Sequence, residues 1–164
     1  MLNSLCYLNI NLMDTEFQTL LDSLAQTPEI IARQIGTLSN EELRWKNSED
    51  EFSAVENVCH LRDLEVEAYA LRINRILNEQ EPSLPDFDGG RVAVERDYNH
   101  QDIQEALEAF ALARKQNVNT LRQLAPARLT REGILEGVGR VSLKGLLSMM
   151  REHDEGHLQT LVSL

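Results

Sequence analysis

The sequence predicts an all-α protein built as a bundle of four principal helices, and three observations carry that expectation. Apolar residues recur at three- and four-residue steps in four separate stretches. Segments rich in Pro, Gly or capping residues separate those stretches. No stretch alternates convincingly between apolar and polar residues at a period of two, and no repeat of fixed length occurs.

The first helical pattern starts at Asp14, with Phe17, Leu20, Leu21 and Leu24 on one side. Thr27-Pro28-Glu29 then reads as an N-cap followed by Pro at a first helical position, so a kink or restart is expected there. The pattern resumes through Ile30, Ile31 and Ile35 and stops near Gly36, after which Ser39-Asn40-Glu41-Glu42 reads as a capped short turn. Residues 44–52 form a connection. Ser53 is an N-cap candidate, with Glu56 as its capping-box partner, for a long helix to about Asn78 whose apolar side holds Leu61, Leu64, Ala68, Leu71 and Ile76.

Residues 79–90 hold two Pro and two Gly among acidic residues and read as a loop long enough to cross the end of a bundle. A third helix is expected from near Asn99 to near Leu124, carrying Ile103, Leu107, Phe110, Ala111, Val118 and Leu121, and Pro126 closes it. Residues 127–141 contain three Gly and read as a connecting loop with room for a brief extended segment. Ser142 caps a last helix that runs to the C-terminus.

A chain of 164 residues, 42% hydrophobic, suits one compact domain. We expect that domain over 14–164, with 1–13 as an N-terminal extension. The segment MLNSLCYLNINLM lacks the basic start and small-residue cleavage site of a secretory signal, and it is shorter than the ~20 apolar residues of a membrane span. With 16 Lys plus Arg against 27 Asp plus Glu, the formal charge is -11, which opposes nucleic acid and anionic membrane as partners. Cys6 and Cys59 show no paired spacing, so a reducing cytoplasm is the expected location.

The histidines carry the chemistry. In the last helix Leu143, Leu146, Leu147 and Met150 define a buried stripe, and steps of three and seven beyond Met150 land on His153 and His157. Their spacing puts two imidazoles one turn apart on one face, where they could chelate a single ion or serve as hydrogen-bonded core residues. His60 shares a helix face with Leu64 and Leu71, and the three rings converge if the second and last helices are packed neighbours. His100, in Asn-His-Gln at the start of the third helix, reads as a polar cap rather than a ligand.

Around these histidines the sequence resembles the DinB-like (YfiT-like) family, whose members are regarded as metalloenzymes and which is distinct from the damage-bypass DNA polymerases sharing the name. The likeness runs through Thr-Pro-Glu-Ile (27–30), Leu-Ser-Asn-Glu-Glu-Leu (38–43) and Phe-Ser-Ala-Val-Glu-Asn-Val-Cys-His-Leu-Arg-Asp-Leu-Glu (52–65). It continues through Asp97-Tyr98, Phe110 with Arg114, Gly139, and Leu-Leu-Ser-Met-Met-Arg-Glu-His-Asp-Glu-Gly-His-Leu (146–158), so it covers about residues 27–161 in order. Phe52-Ser53 departs from the Trp-Ser usual in that family. The resemblance implies an up-down-down-up bundle, a metal held by His60, His153 and His157, and dimerisation through helix faces.

Three protein nitrogens leave a coordination position open for water or substrate. A divalent transition metal is expected, Zn or Ni first, with Fe or Cu also suited to imidazole. The expected activity is that of a metal-dependent enzyme on a small molecule, a hydrolase or a low-molecular-weight-thiol transferase. The alternative is a non-catalytic metal-binding or structural bundle. Candidate catalytic residues are Glu56, which could instead only complete the capping box, and Asp63, which could instead form a structural salt bridge. Asp154 and Glu155 are rotated away from the ligands, toward solvent or an inter-helix contact. Arg114 falls on the apolar face of the third helix, so a carboxylate from another helix is expected to pair with it.

Overall fold

The computed structural model describes residues 2–163, with side chains from Thr15 onward. Helix α1 spans Leu2–Ile35, α2 spans Asn40–Arg44 and α3 spans Ala54–Asp63. A π-helical turn, Leu64–Tyr69, joins α3 to α4, Ala70–Asn78, so the second long rod runs unbroken from Ala54 to Asn78. After strand β1, Ser83–Leu84, come α5, Gly89–Glu95, and α6, Ile103–Arg122. Strands β2, Glu132–Leu135, and β3, Gly139–Ser142, lead into α7, Leu143–Val162. Among the described residues no helix is long and apolar enough to cross a membrane.

The caps form as their chemistry dictates. Ser39 with Glu42 and Ser53 with Glu56 each make a reciprocal capping box, and the Ser142 hydroxyl accepts from the Gly145 N–H. Helix α6 begins later than expected because Asp102, not Asn99, caps it, accepting from the N–H groups of Gln104 and Glu105. Tyr98–His100 forms a 3-10 turn ahead of that cap.

Side-chain contacts fix the directions of the rods. Glu16 meets Lys144, Thr27 meets Asp154, and Gln34 meets the Leu158 carbonyl, so α1 and α7 run parallel. Asn57 meets His157 and His60 meets His153, so α3 runs against α7. Ile103 and Leu107 of α6 pack with Ile31 and Ile35, while Arg122 reaches Asp22, so α6 runs against α1. The order is therefore up-down-down-up, and the connection between the second and third rods must travel the length of the bundle.

That connection does more than the expected loop. Ser83 and Leu84 pair in parallel with Ile134 and Leu135, and β2 pairs antiparallel with β3 from Glu132↔Ser142 to Leu135↔Gly139. These strands of two and four residues are too short to impose a sequence period, although Gly133 and Leu135 do turn inward and their neighbours outward. The hairpin turns at Gly137 and Gly139, with φ of 75° and 103°, values that side chains with a Cβ rarely adopt. Arg131 ties the sheet to the C-terminal end of the second rod, donating to the carbonyls of Ile76 and Glu79. From β1 the chain returns to the other end of the rod, where Phe87 and Gly89 meet His60.

Pro28 does not restart α1 as a second helix, because α1 is continuous through it, and Thr27 is not an N-cap. Proline lacks the N–H that would satisfy the Leu24 carbonyl four residues earlier. Arg114 supplies the missing donor, its Nη1 lying 2.9 Å from that oxygen. Thr27 instead donates its hydroxyl to Asp154 at 2.9 Å. The helix is also continuous across the expected boundary after residue 13. The side chains of residues 1–14, Cys6 among them, lie outside the described ones.

The Arg114 partner expected from the sequence is present twice. Its guanidinium reaches Glu65 at 3.0 Å and Asp154 at 2.6 Å, and Asn117 donates to the other Glu65 oxygen. Burial opposes the Arg114 charge, and the two carboxylates overcome it, holding the guanidinium above its ordinary value. On every long rod this polar layer falls between two apolar clusters: Leu24 and Ile31, Leu61 and Ala68, Phe110 and Val118, Met150 and Leu161 bracket it. Beside it Asp154 anchors α7 one residue from His153.

Candidate metal centre

His60 projects from the second turn of α3, and His153 and His157 lie one turn apart on α7. Because α3 and α7 are antiparallel neighbours, the rings meet. The His60 and His157 Nε2 atoms each lie 3.2 Å from His153 Nε2, and the three ligand atoms all fall within 4.8 Å of one another. A tetrahedral ion with metal–nitrogen bonds of ~2.0–2.1 Å sets its ligand nitrogens about 3.3 Å apart. The three rings are thus arranged as a set of donors around a common point.

The hydrogen-bond roles fit the same picture. Asn57 donates its amide to the carbonyls of Ser53, at 2.8 Å, and Phe52, at 3.2 Å, which turns its Oδ1 toward His157. His157 Nδ1–H donates to that oxygen at 2.5 Å, leaving the Nε2 lone pair facing the other rings. Among the described residues the buried Nδ1 atoms of His60 and His153 have no hydrogen-bond partner. One N–H on His153 Nε2 could satisfy only one of its two neighbours, so a cation at the common point is the arrangement that suits all three lone pairs.

Electrostatics keep the rings neutral, the state that ligates. Burial, then the neighbouring His153, pushes His60 down to about 4 from an ordinary 6.5. Burial, then His153 and His60, pushes His157 down to about 3. His153 is lowered as well, by burial first, with the Arg114 and Arg72 charges adding and Asp154 opposing.

Aromatic rings and backbone fix His60 from outside. Phe52 lies with its ring centroid 5.4 Å from that of His60, and Phe87, brought back by the long connection, lies at 6.0 Å. Phe52 thus packs on the site where the resembling family usually has Trp. At the first position of α5, a Cβ on Gly89 would fall inside the van der Waals distance of His60 Cε1 and Nδ1, so only glycine lets the backbone come this close. A cavity of about 830 Å³ opens beside the centre, with His153, His157, Asn57 and Phe52 in its wall.

The two candidate carboxylates face other partners. Glu56 accepts from the Ser53 N–H at 2.8 Å and pairs with Lys46 at 3.1 Å. Asp63 accepts from Arg62, Arg96 and the Tyr98 hydroxyl, each at 2.6 Å. Burial would raise its carboxyl, and these donors outweigh that and hold it below its ordinary value. His100 is exposed and bonded to Asp97 at 2.7 Å. Cys59 is buried, and burial pushes its thiol up to about 11, which makes it a poor nucleophile. The sequence reading missed Asn57, although its place one turn before His60 and in the first turn of a capped helix was a usable signal.

Comparison with known proteins identifies the family and the fold. The profile of the DinB superfamily matches residues 23–161. No curated protein sequence gives a significant match. Among solved structures the fold is similar to that of YfiT from Bacillus subtilis, with a TM-score of 0.84 at 16% identity, covering 90% of this chain and 84% of that one. YfiT is described as a probable metal-dependent hydrolase with an unusual four-helix bundle topology.

Proposed function

Since the chain belongs to the DinB superfamily, we propose that it is a metal-dependent enzyme acting on a small molecule, with one divalent transition metal held by His60, His153 and His157. The observation that carries this reading is the convergence of three Nε2 lone pairs, on rings that burial keeps neutral, beside an open cavity whose wall holds His153 and His157. An all-imidazole donor set suits Zn or Ni first and accommodates Fe or Cu, whereas Ca and Mg prefer oxygen. When bound, such an ion supplies Lewis acidity, which lowers the pKa of a water or thiol or polarises a carbonyl.

The chain's own residues supply position and exclusion. Asn57 holds His157 in the tautomer that presents Nε2. Phe52, Phe87 and Gly89 hem in His60 and keep water from its flank. The cavity admits a substrate on the side of His153 and His157. Hydrolysis is the reaction that the description of the structural relative favours. Thiol transfer, homodimerisation and a cytoplasmic setting rest on the family resemblance alone.

Loading the protein with Co(II) tests the open position. Its visible spectrum should change when azide is added, and Ala at His153 should abolish the spectrum while costing little thermal stability in the metal-free state. A spectrum indifferent to azide, with unfolding that tracks metal loss, would instead mark a closed structural site.

A further inference from the structure

The wall of the cavity beside the histidines is charged with one sign. Asp50 and Glu51, from the connection before α3, and Glu152, from α7, all line it, and no Lys or Arg does. Among the described residues none of these three carboxylates takes part in an ion pair, and Arg151, next to Glu152 in sequence, pairs with Glu155 instead. The nearest lysine in sequence, Lys46, is already engaged by Glu56 at 3.1 Å.

Backbone dipoles reinforce that sign. Gln159, Thr160 and Ser163 carry the cavity along the side of α7 to its last turn, where the negative end of the helix dipole lies. The opposing field is the N-terminus of α3, close to Phe52 and Asn57. There the Glu56 carboxylate accepts from the Ser53 N–H and closes the positive end. The whole chain adds a formal charge of -11, which draws cations toward any open cleft.

We infer that the substrate of this site is a small molecule that places its reacting group at the three histidines and carries a cationic group, an ammonium or guanidinium, toward Asp50, Glu51 and Glu152. The inference rests on the proposed metal centre and adds the substrate class to it. Substrates with an anionic tail, including acidic low-molecular-weight thiols, are disfavoured because away from the metal no Lys or Arg in the wall compensates that charge. The cavity, at about 830 Å³, has room for a group several bonds from the reacting atom.

Three metal-binding probes of equal chain length separate tail charge from everything else: 6-aminohexanohydroxamic acid, hexanohydroxamic acid and adipic monohydroxamic acid. Binding to the Zn-loaded protein is read by calorimetry after zinc content has been measured. The cationic probe should bind about fivefold or more tighter than the neutral one, and the anionic probe weaker than both. Asp50→Asn, Glu51→Gln and Glu152→Gln together should bring the cationic-to-neutral ratio close to one. Glu41→Gln, Glu105→Gln and Glu108→Gln, which change the net charge equally away from the cavity, should leave that ratio intact.

Equal binding of the three probes overturns the inference, as does a ratio that survives neutralisation of the cavity or falls equally in the distant variant. Failure of all three probes on a protein shown to hold zinc overturns it too. Failure to take up zinc at all shows at the first step and overturns the metal centre on which the inference rests.

Discussion

Asn57 Oδ1 lies 2.5 Å from His157 Nδ1, and the Asn57 amide is itself pinned by two backbone carbonyls at the start of α3. The link joins the first turn of one rod to the last turns of another across 100 residues of chain. It sets which nitrogen of His157 is free, so its loss should weaken the metal site without unfolding the protein. Asn57→Ala should lower metal affinity by roughly 10- to 100-fold. Asn57→Asp, which keeps an acceptor facing Nδ1–H, should retain most of it. Competition with a chelator of known affinity measures both, and equal affinity in Asn57→Ala and the parent protein would rule out the positioning role.

Gly89→Ala tests the close approach of α5 to His60. In the first turn of a helix Ala is ordinarily no worse than Gly, so backbone propensity by itself predicts no loss of melting temperature. The new Cβ would collide with the imidazole, and the ring must turn or shift. Metal affinity should therefore fall steeply, beyond the modest drop in stability of about 1–3 kcal/mol that overpacking brings, a difference that titration and thermal unfolding of the same sample would detect.

Arg114→Met should be severely destabilising. It leaves Glu65 and Asp154 buried without their cation and returns the Leu24 carbonyl to the unsatisfied state that Pro28 creates. Breaking a buried ion pair from one side costs about 3–5 kcal/mol, which urea denaturation would register as a large drop in midpoint. A variant in which Pro28→Ala restores the N–H should recover part of that loss, because Leu24 then has an intrahelical donor.

The metal-free protein should lose stability in acid over a window set by the histidines. His60 and His157 titrate at about 4 and about 3 in the folded chain, against 6.5 when unfolded. Between those values the unfolded state binds more protons, so the contribution is complete above pH 6.5 and is lost as pH falls toward 4. Urea midpoints of chelator-treated protein should fall through that range. The slope should flatten when His60 and His157 are replaced by residues that do not titrate.

Much of this was legible from local pattern. The stripe from Leu143 to Met150 pointed His153 and His157 inward, Ser53 and Glu56 announced a helix start, and Phe110 with Leu121 placed Arg114 among apolar neighbours that demanded a counter-ion. The features that escaped notice depend on partners distant in sequence. Pro28 reads as a break because its rescuer, Arg114, lies on another rod, and Glu65 is buried within a π turn that no simple helical period anticipates. Gly89 looks like a loop residue until His60 is seen against it. Strands of two and four residues pair through backbone groups, which leave little mark on composition.

Metal content of untagged protein, measured by elemental analysis after reconstitution and dialysis, tests the central claim most directly. The account predicts about one Zn or Ni per chain in the parent protein, and a large loss when any one of His60, His153 or His157 is replaced by Ala. A parent protein holding less than about 0.2 ion per chain, or three alanine variants that retain metal at the parent level, would contradict it.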